Sequence, residues 1–203
     1  MGQPEEKDDL VLIRETLSGS NESFGALVDR YKHPIYNLCY RMMNNKADAE
    51  DVAQDVFLRV YSKLGDFKLG FKFFSWLYTI ALNVAMDALR KRKKTSFIPL
   101  GAWIDPAGRH SEIQVQDKKE NAEAMLEEKE SAELIFKFLG ELPAKYRVPL
   151  IFKYFEGWSC EDISGLLNMP LGTVKVHLHR ARALLYKKIK KNETLSGSRR
   201  ILK

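Results

Sequence analysis

The sequence predicts an all-α protein of two small helical domains joined by a flexible linker, the C-terminal domain containing a helix-turn-helix. Three observations predict it. Apolar residues recur at helical spacing over most of the 203 residues, and the alternation of a half-buried strand is absent. A stretch without periodicity, Thr95 to about Glu120, divides the chain and is punctuated by Pro99, Gly101, Pro106 and Gly108. Finally, Ser159 to Ile189, SCEDISGLLNMPLGTVKVHLHRARALLYKKI, reads as two helices hinged at Asn168 to Pro170.

The first block runs from about Asp9 to Lys94. Helical patterning appears in Leu10 to Leu17, Phe24 to Met43, Ala47 to Leu64 and Phe74 to Lys94, with Gly65 and Gly70 breaking between the last two. In the third helix Ala49, Val52, Ala53, Val56, Val60 and Leu64 share one face, the expected core. Opposite them stand Asp51, Gln54, Asp55 and Leu58, with Glu50 and Phe57 at the edges. A leucine flanked by acids and an amide suits a protein-binding face, and negative charge in a net-basic chain points to a basic partner other than DNA.

The fourth helix has the opposite character. Leu77, Ile80, Ala81, Val84 and Ala88 form its expected seat, leaving Thr79, Asn83, Met86 and Arg90 outside, ahead of the basic run RKRKK at Arg90 to Lys94. Asn and Arg can hydrogen-bond base edges, and Arg and Lys can hold phosphates. Just upstream, in DFKLGFKFFS (Asp66 to Ser75), Phe67, Phe71, Phe73 and Phe74 are interleaved with Lys68 and Lys72. Aromatics among cations suit unpaired, stackable bases.

The second block, about Ala122 to Lys191, contains a helix ending at Gly140, another at about Tyr146 to Phe155 behind Pro143, and the helix-turn-helix. Ser159 is a good N-cap with Asp162 at the capping-box position, Asn168 can close the helix in the left-handed conformation, and Pro170 restarts one. In the last helix Val174, Leu178, Ala181, Leu185 and Ile189 form the seat, while Thr173, Lys175, Val176, His179, Arg180 and Lys187 point away. Such a helix is built to enter a DNA groove. Asn192 to Lys203 is expected to be a disordered basic tail. The domain boundaries are thus 1–94, a linker at 95–121, 122–191, and the tail at 192–203.

Composition agrees. The net charge is +6 and the pI about 9.2, favouring a polyanionic partner. From Lys175 onward, ten Lys or Arg face the single Glu193. The two cysteines, Cys39 and Cys160, lack any CxxC or nearby histidine pair, so both are expected to be buried thiols of a reducing compartment, with neither disulfide nor zinc. The polar, acidic start MGQPEEKDDL argues against a signal peptide, and Glu6 stands where myristoylation wants Ser or Thr. No apolar run approaches the roughly 18 residues of a membrane span, so cytoplasmic localisation without membrane insertion is expected. His33, His110, His177 and His179 have no plausible nucleophile beside them, and no phosphate-cradling glycine motif occurs. No enzyme activity, metal or cofactor is expected.

Three stretches together carry a family resemblance. DAEDVAQDVFLRVY (Asp48 to Tyr61), FFSWLYTIALNVAMDALRKRKK (Phe73 to Lys94) and MPLGTVKVHLHRARALL (Met169 to Leu185) resemble, in order, the signatures of bacterial sigma factors of the extracytoplasmic-function (ECF) group. The resemblance implies a promoter-specificity subunit whose partners are core RNA polymerase, promoter DNA and an anti-sigma factor. It places Glu50, Asp51, Gln54, Asp55 and Phe57, with Leu58, on the polymerase's clamp helices. It places the Asp66 to Ser75 loop (Phe67, Lys68, Phe71, Lys72) with Asn83 and Arg90 on the unpaired minus-10 strand, where a flipped base is caught. It places Thr173, Lys175, His177 and Arg180, with Val176 and His179, at the minus-35 duplex. The common family pattern has Ser then Arg after the position of Lys175; here Val176 and His177 stand instead, so the minus-35 preference is this chain's own.

A 27-residue linker reaches at most about 90–95 Å, against about 60 Å between elements nearly two helical turns apart, so a partly extended path is expected. The competing reading is a free-standing helix-turn-helix regulator with a helical effector domain. It leaves the acidic face and the aromatic-basic loop without a shared purpose.

Overall fold

The computed structural model describes residues 8–68, 70–93 and 134–201. Every regular element among them is helical, in two compact units that divide near Gly108. The linker expected at 95–121, and residues 122–133 of the second block, lie outside the described residues.

The first unit holds α1 (Asp9–Leu17), α2 (Asn21–Met43), α3 (Lys46–Lys63), a 3-10 turn (Leu64–Asp66) and α4 (Phe73–Lys93). Short polar residues set the boundaries. Ser20 Oγ accepts from the Ser23 N–H to start α2, Asn44 ends it in the left-handed conformation at φ 54°, and the next residue, Asn45, caps α3 by accepting from the Asp48 N–H. Pro34 sits inside α2 without ending it; the buried residues on either side, Leu27, Ile35, Leu38 and Met42, outweigh one missing ladder bond. The α1–α2 corner is tied by Asp9, which accepts from Arg30 and Tyr31; burial, then the Asp9 bond, pushes the Tyr31 phenol well above its usual range.

The second unit holds a helical segment at 134–141 (α5), then α6 (Ala144–Tyr154), α7 (Cys160–Leu167) and α8 (Leu171–Ile201). α8 packs on α6 and α7 over a core of Leu139, Ile151, Phe152, Trp158, Ile163, Val174, Leu178 and Ala181. Pro149 lies inside α6 and is buried. α8 continues to Ile201, which corrects the expected loss of structure from Asn192. Among Asn192 to Ile201 only Gly197 opposes a helix and no proline interrupts it, so an established helix propagates through polar sequence.

The cysteines differ. Cys39 is fully buried and desolvation pushes its thiol up to about 12, whereas Cys160, in the first turn of α7, is only half-buried, against the expectation of two buried thiols. In native protein at pH 8, a thiol-specific chromophore should titrate Cys160 alone, and Cys39 only after denaturant is added. Two fast-reacting native thiols would contradict the packing.

Candidate nucleic-acid interface

α3 presents two unlike faces. Ala49, Val52, Ala53, Val56 and Val60 are buried, while Glu50, Asp51, Gln54, Asp55 and Leu58 are exposed and Phe57 is half-buried. Leu58 leaves 69% of its surface in solvent. One turn on, Tyr61 is exposed and stands edge-on to Phe24, centroids 4.8 Å apart. Sequence reading missed Tyr61, although it lies three residues beyond Leu58 on the same face. Between this face and α4 runs a groove of about 420 Å³, bordered by Asp55, Leu58, Arg59, Val84, Ala88 and Lys91 among others. Acids around a solvated leucine suit a partner with complementary charge and an apolar slot.

α4 departs from expectation on one side. Leu77, Ile80 and Ala81 are buried as expected, but Met86, expected outside, is 4% exposed, and Val84 and Ala88, expected in the seat, are half-buried at the groove. α4 packs against both α2 and α3, so its buried sector is wider than the single stripe of a surface helix. Asn83 is half-buried, as is Thr79, whose hydroxyl donates to the Ser75 carbonyl at 2.9 Å.

The aromatic loop divides likewise. Phe67, expected to face bases, is 7% exposed and meets Phe73 at 5.7 Å and Trp76 at 5.4 Å; Tyr31 reaches Phe73 at 5.6 Å. The 3-10 turn folds Phe67 back, making its ring part of the core rather than a contact surface. Lys68 and Lys72 are exposed and Phe71 half-buried. In the basic run, Arg90 pairs with Asp87 at 2.5 Å, and Arg92 bonds Asp48 at 2.6 Å and reaches the Met43 carbonyl at 3.4 Å, clasping α4 to the α2–α3 corner.

In the second unit the helix-turn-helix forms around a capping box. Ser159 Oγ accepts from the Asp162 N–H at 3.0 Å, and Asp162 accepts in return from the Ser159 N–H at 3.2 Å. Asn168 takes the left-handed conformation at φ 43°. Pro170 stands one residue before α8 rather than in its first turn; its carbonyl accepts from the Thr173 and Val174 N–H groups. With Val174, Leu178 and Ala181 buried, Lys175, Val176, His179 and Arg180 are exposed and Thr173 and His177 half-buried. His177 leans edge-on toward Tyr146 of α6. Burial, then the positive charges of Lys145 and Arg180, lowers its pKa and keeps it neutral at pH 7. Among the described residues no group of three or more His, Cys, Asp or Glu side chains could hold a metal ion, and no helix is long and apolar enough to cross a membrane.

Two family models match this chain: Sigma-70 region 2 over residues 27–95 and Sigma-70, region 4 over residues 132–185. Over 179 residues the chain is 37% identical to the ECF RNA polymerase sigma factor SigW of Bacillus subtilis, covering 88% of this chain and 95% of that protein. The chain belongs to the ECF RNA polymerase sigma factors. As an ECF sigma factor it is a promoter-recognition subunit of RNA polymerase, and the reading as a free-standing regulator is not favoured. This sigma factor is also 31% identical over 182 residues to the RNA polymerase sigma-H factor of Pseudomonas aeruginosa (90% of this chain, 94% of that one). Its fold is shared by the solved structure of CnrH in complex with the cytosolic domain of CnrY (TM-score 0.61, 24% identity, 90% of this chain and 97% of that chain). A second, the sigma factor RpoE with the anti-sigma factor NepR from Bartonella quintana, matches with a TM-score of 0.59 at 22% identity (83% of this chain and 98% of that chain). The acidic face of α3 and the aromatic-basic loop lie in the span matching region 2, and the outer face of α8 in the span matching region 4.

Proposed function

We propose that this ECF sigma factor divides its work among three surfaces. Glu50, Asp51, Gln54, Asp55, Phe57 and Leu58 on α3 hold the clamp helices of core RNA polymerase. Lys68, Phe71, Lys72, Asn83 and Arg90 take the unpaired minus-10 strand, the exposed Arg90–Asp87 pair being weak enough to exchange for a phosphate. Thr173, Lys175, Val176, His177, His179 and Arg180 meet the minus-35 duplex. Residues 95–121 serve as the linker between a first domain at 1–94 and a second at 122–191. The protein acts in the cytoplasm without catalytic activity of its own, and an anti-sigma factor restrains it by covering the surfaces used for polymerase. The single observation that carries this reading is the opposition of charge: an exposed acidic face with a bare leucine on α3, and an exposed cationic face on α8.

The test is in vitro transcription. Purified chain added to bare bacterial core polymerase is expected to direct initiation at discrete start sites on a promoter library; no start-site selection would overturn the reading. In the same assay Asn83→Ala is expected to change which minus-10 sequences support opening, by about 1–3 kcal/mol at one position. An unchanged minus-10 profile would leave Asn83 a packing residue.

A further inference from the structure

α8 carries positive charge well past the turns that face the minus-35 bases. No acid occurs in residues 171–192, and Arg182, Lys187, Lys190 and Lys191 are exposed. At 100° per residue Lys187 and Lys191 fall within about 20° of the direction of Arg180, about 10 and 16 Å farther along the helix axis. This side turns away from the seat formed by the buried Val174, Leu178 and Ala181. Lys188 turns toward the seat instead, and its ammonium pairs with Glu141 at the end of α5. Lys187 and Lys191 lie beyond the span that matches region 4, which ends at residue 185.

Lys187 and Lys191 are four residues apart and repel each other, and no acid stands three or four positions from either to offset this. Charge that the helix itself does not favour suits an external polyanion. The nearest one is the promoter duplex that region 4 already meets. A helix whose first turns enter the major groove covers its width of about 12 Å in roughly eight residues, at about 1.5 Å each. Counted from Thr173, Arg180 is the last residue within that width, and Lys187 and Lys191 arrive where a sugar-phosphate strand bounds the groove. Backbone contact at the far end of a groove-reading helix is a recurring geometry. Lysine fits this place, because a compact ammonium on a flexible stem holds a phosphate as a point charge without the fork that base reading needs. Such contacts add affinity and carry no sequence information.

We propose that Lys187 and Lys191 form a phosphate anchor on α8, gripping the DNA backbone beside the minus-35 element whatever its sequence. The inference rests on the reading of α8 as the minus-35 helix. The test uses the full chain with core polymerase, measuring promoter binding from about 50 to 200 mM salt on templates randomised across the minus-35 element. Lys187→Gln with Lys191→Gln is expected to weaken all sequences alike, by about tenfold or more at 0.1 M salt, and to make the slope of log affinity against log salt shallower by about 2. Co-purification with core polymerase and the unfolding midpoint should stay unchanged. Lys188→Gln removes the same charge from the other side of the helix and should leave the slope near that of the parent. Neutral methylphosphonate linkages, placed singly on either side of the minus-35 element, should weaken the parent at one or two positions and have no effect there on the double variant. An unchanged slope, an equal change from Lys188→Gln, or no linkage at which parent and double variant differ would overturn the anchor. Loss of core polymerase by the double variant would also overturn it, by assigning the face to a protein partner. Arg180→Ala tests the underlying reading separately: an altered minus-35 preference beside a silent lysine pair removes the anchor alone, whereas an unaltered preference removes both.

Discussion

A chain carrying Asp51→Arg together with Asp55→Arg is expected to lose co-purification with core RNA polymerase while keeping its helical circular dichroism spectrum and unfolding midpoint. Both carboxylates stand on the exposed side of α3, away from the buried stripe of Ala49, Val52, Ala53, Val56 and Val60. The helix does not depend on them for its start, which Asn45 caps, nor for its tie to α4, which runs through Asp48 and Arg92. Reversing both changes the face by four charges. Each like-charge contact against a basic partner costs several kcal/mol, and the two lost attractions add to that, so binding should fall by about 10³-fold or more. Since long-range steering is screened by salt, the parent complex should also form more slowly as ionic strength rises, and the double variant should lack that dependence. Retained co-purification at unchanged strength would remove α3 from the polymerase interface.

The contrast between α3 and α4 shows what the sequence could and could not disclose. In α3, which packs on both α2 and α4, the buried apolar residues Ala49, Val52, Ala53, Val56 and Val60 nevertheless fall on one stripe, so a 100° projection separates core from outer face. α4 buries a wider sector, which takes in Leu82, Ala85 and Leu89 beside Leu77, Ile80 and Ala81, and the same projection assigned Met86 to solvent and Val84 and Ala88 to the core. Phe67 was misjudged for a different reason. Its place in a glycine-punctuated, lysine-rich stretch reads as surface, but the turn at Leu64–Asp66 returns its ring to Phe73 and Trp76. The capping box at Ser159 and Asp162 and the left-handed Asn168 were legible because their chemistry is local, three residues apart or less. Tyr61 against Phe24 and Tyr146 against His177 were not, because each pairs residues from different helices. The extension of α8 to Ile201 escaped because its apolar residues, Leu195 and Ile201, are too sparse to form a helical stripe.

Arg147→Ala is expected to destabilise the second unit by about 3–5 kcal/mol, although nothing in the sequence sets this arginine apart from the surface cations around it. Its side chain is 2% exposed, and its Nη2 donates to the Gly140 carbonyl and, at 2.9 Å, to the Leu142 carbonyl. These carbonyls lie at the end of α5 and in the turn to α6, where a helix runs out of its own donors. Burial lowers the guanidinium pKa to about 10, which still leaves it charged at pH 7, so the carbonyls receive charge-assisted bonds. Alanine would strand both acceptors, at about 1–3 kcal/mol each, and open a cavity where the stem packed. For a unit of this size, 3 kcal/mol corresponds to a fall of at least about 10 °C in Tm, readable by far-UV circular dichroism. Arg147→Lys should recover only part of the loss, because an ammonium on a straight stem cannot span two carbonyls with the geometry of a fork. A shift below about 2 °C for the alanine variant would mean that water or a neighbouring group replaces the guanidinium. Because Tyr146, the adjacent residue in the same turn of α6, stands edge-on to His177, the turn that closes the core through Arg147 is also one that meets α8, so the expected loss bears on the helix-turn-helix as a whole.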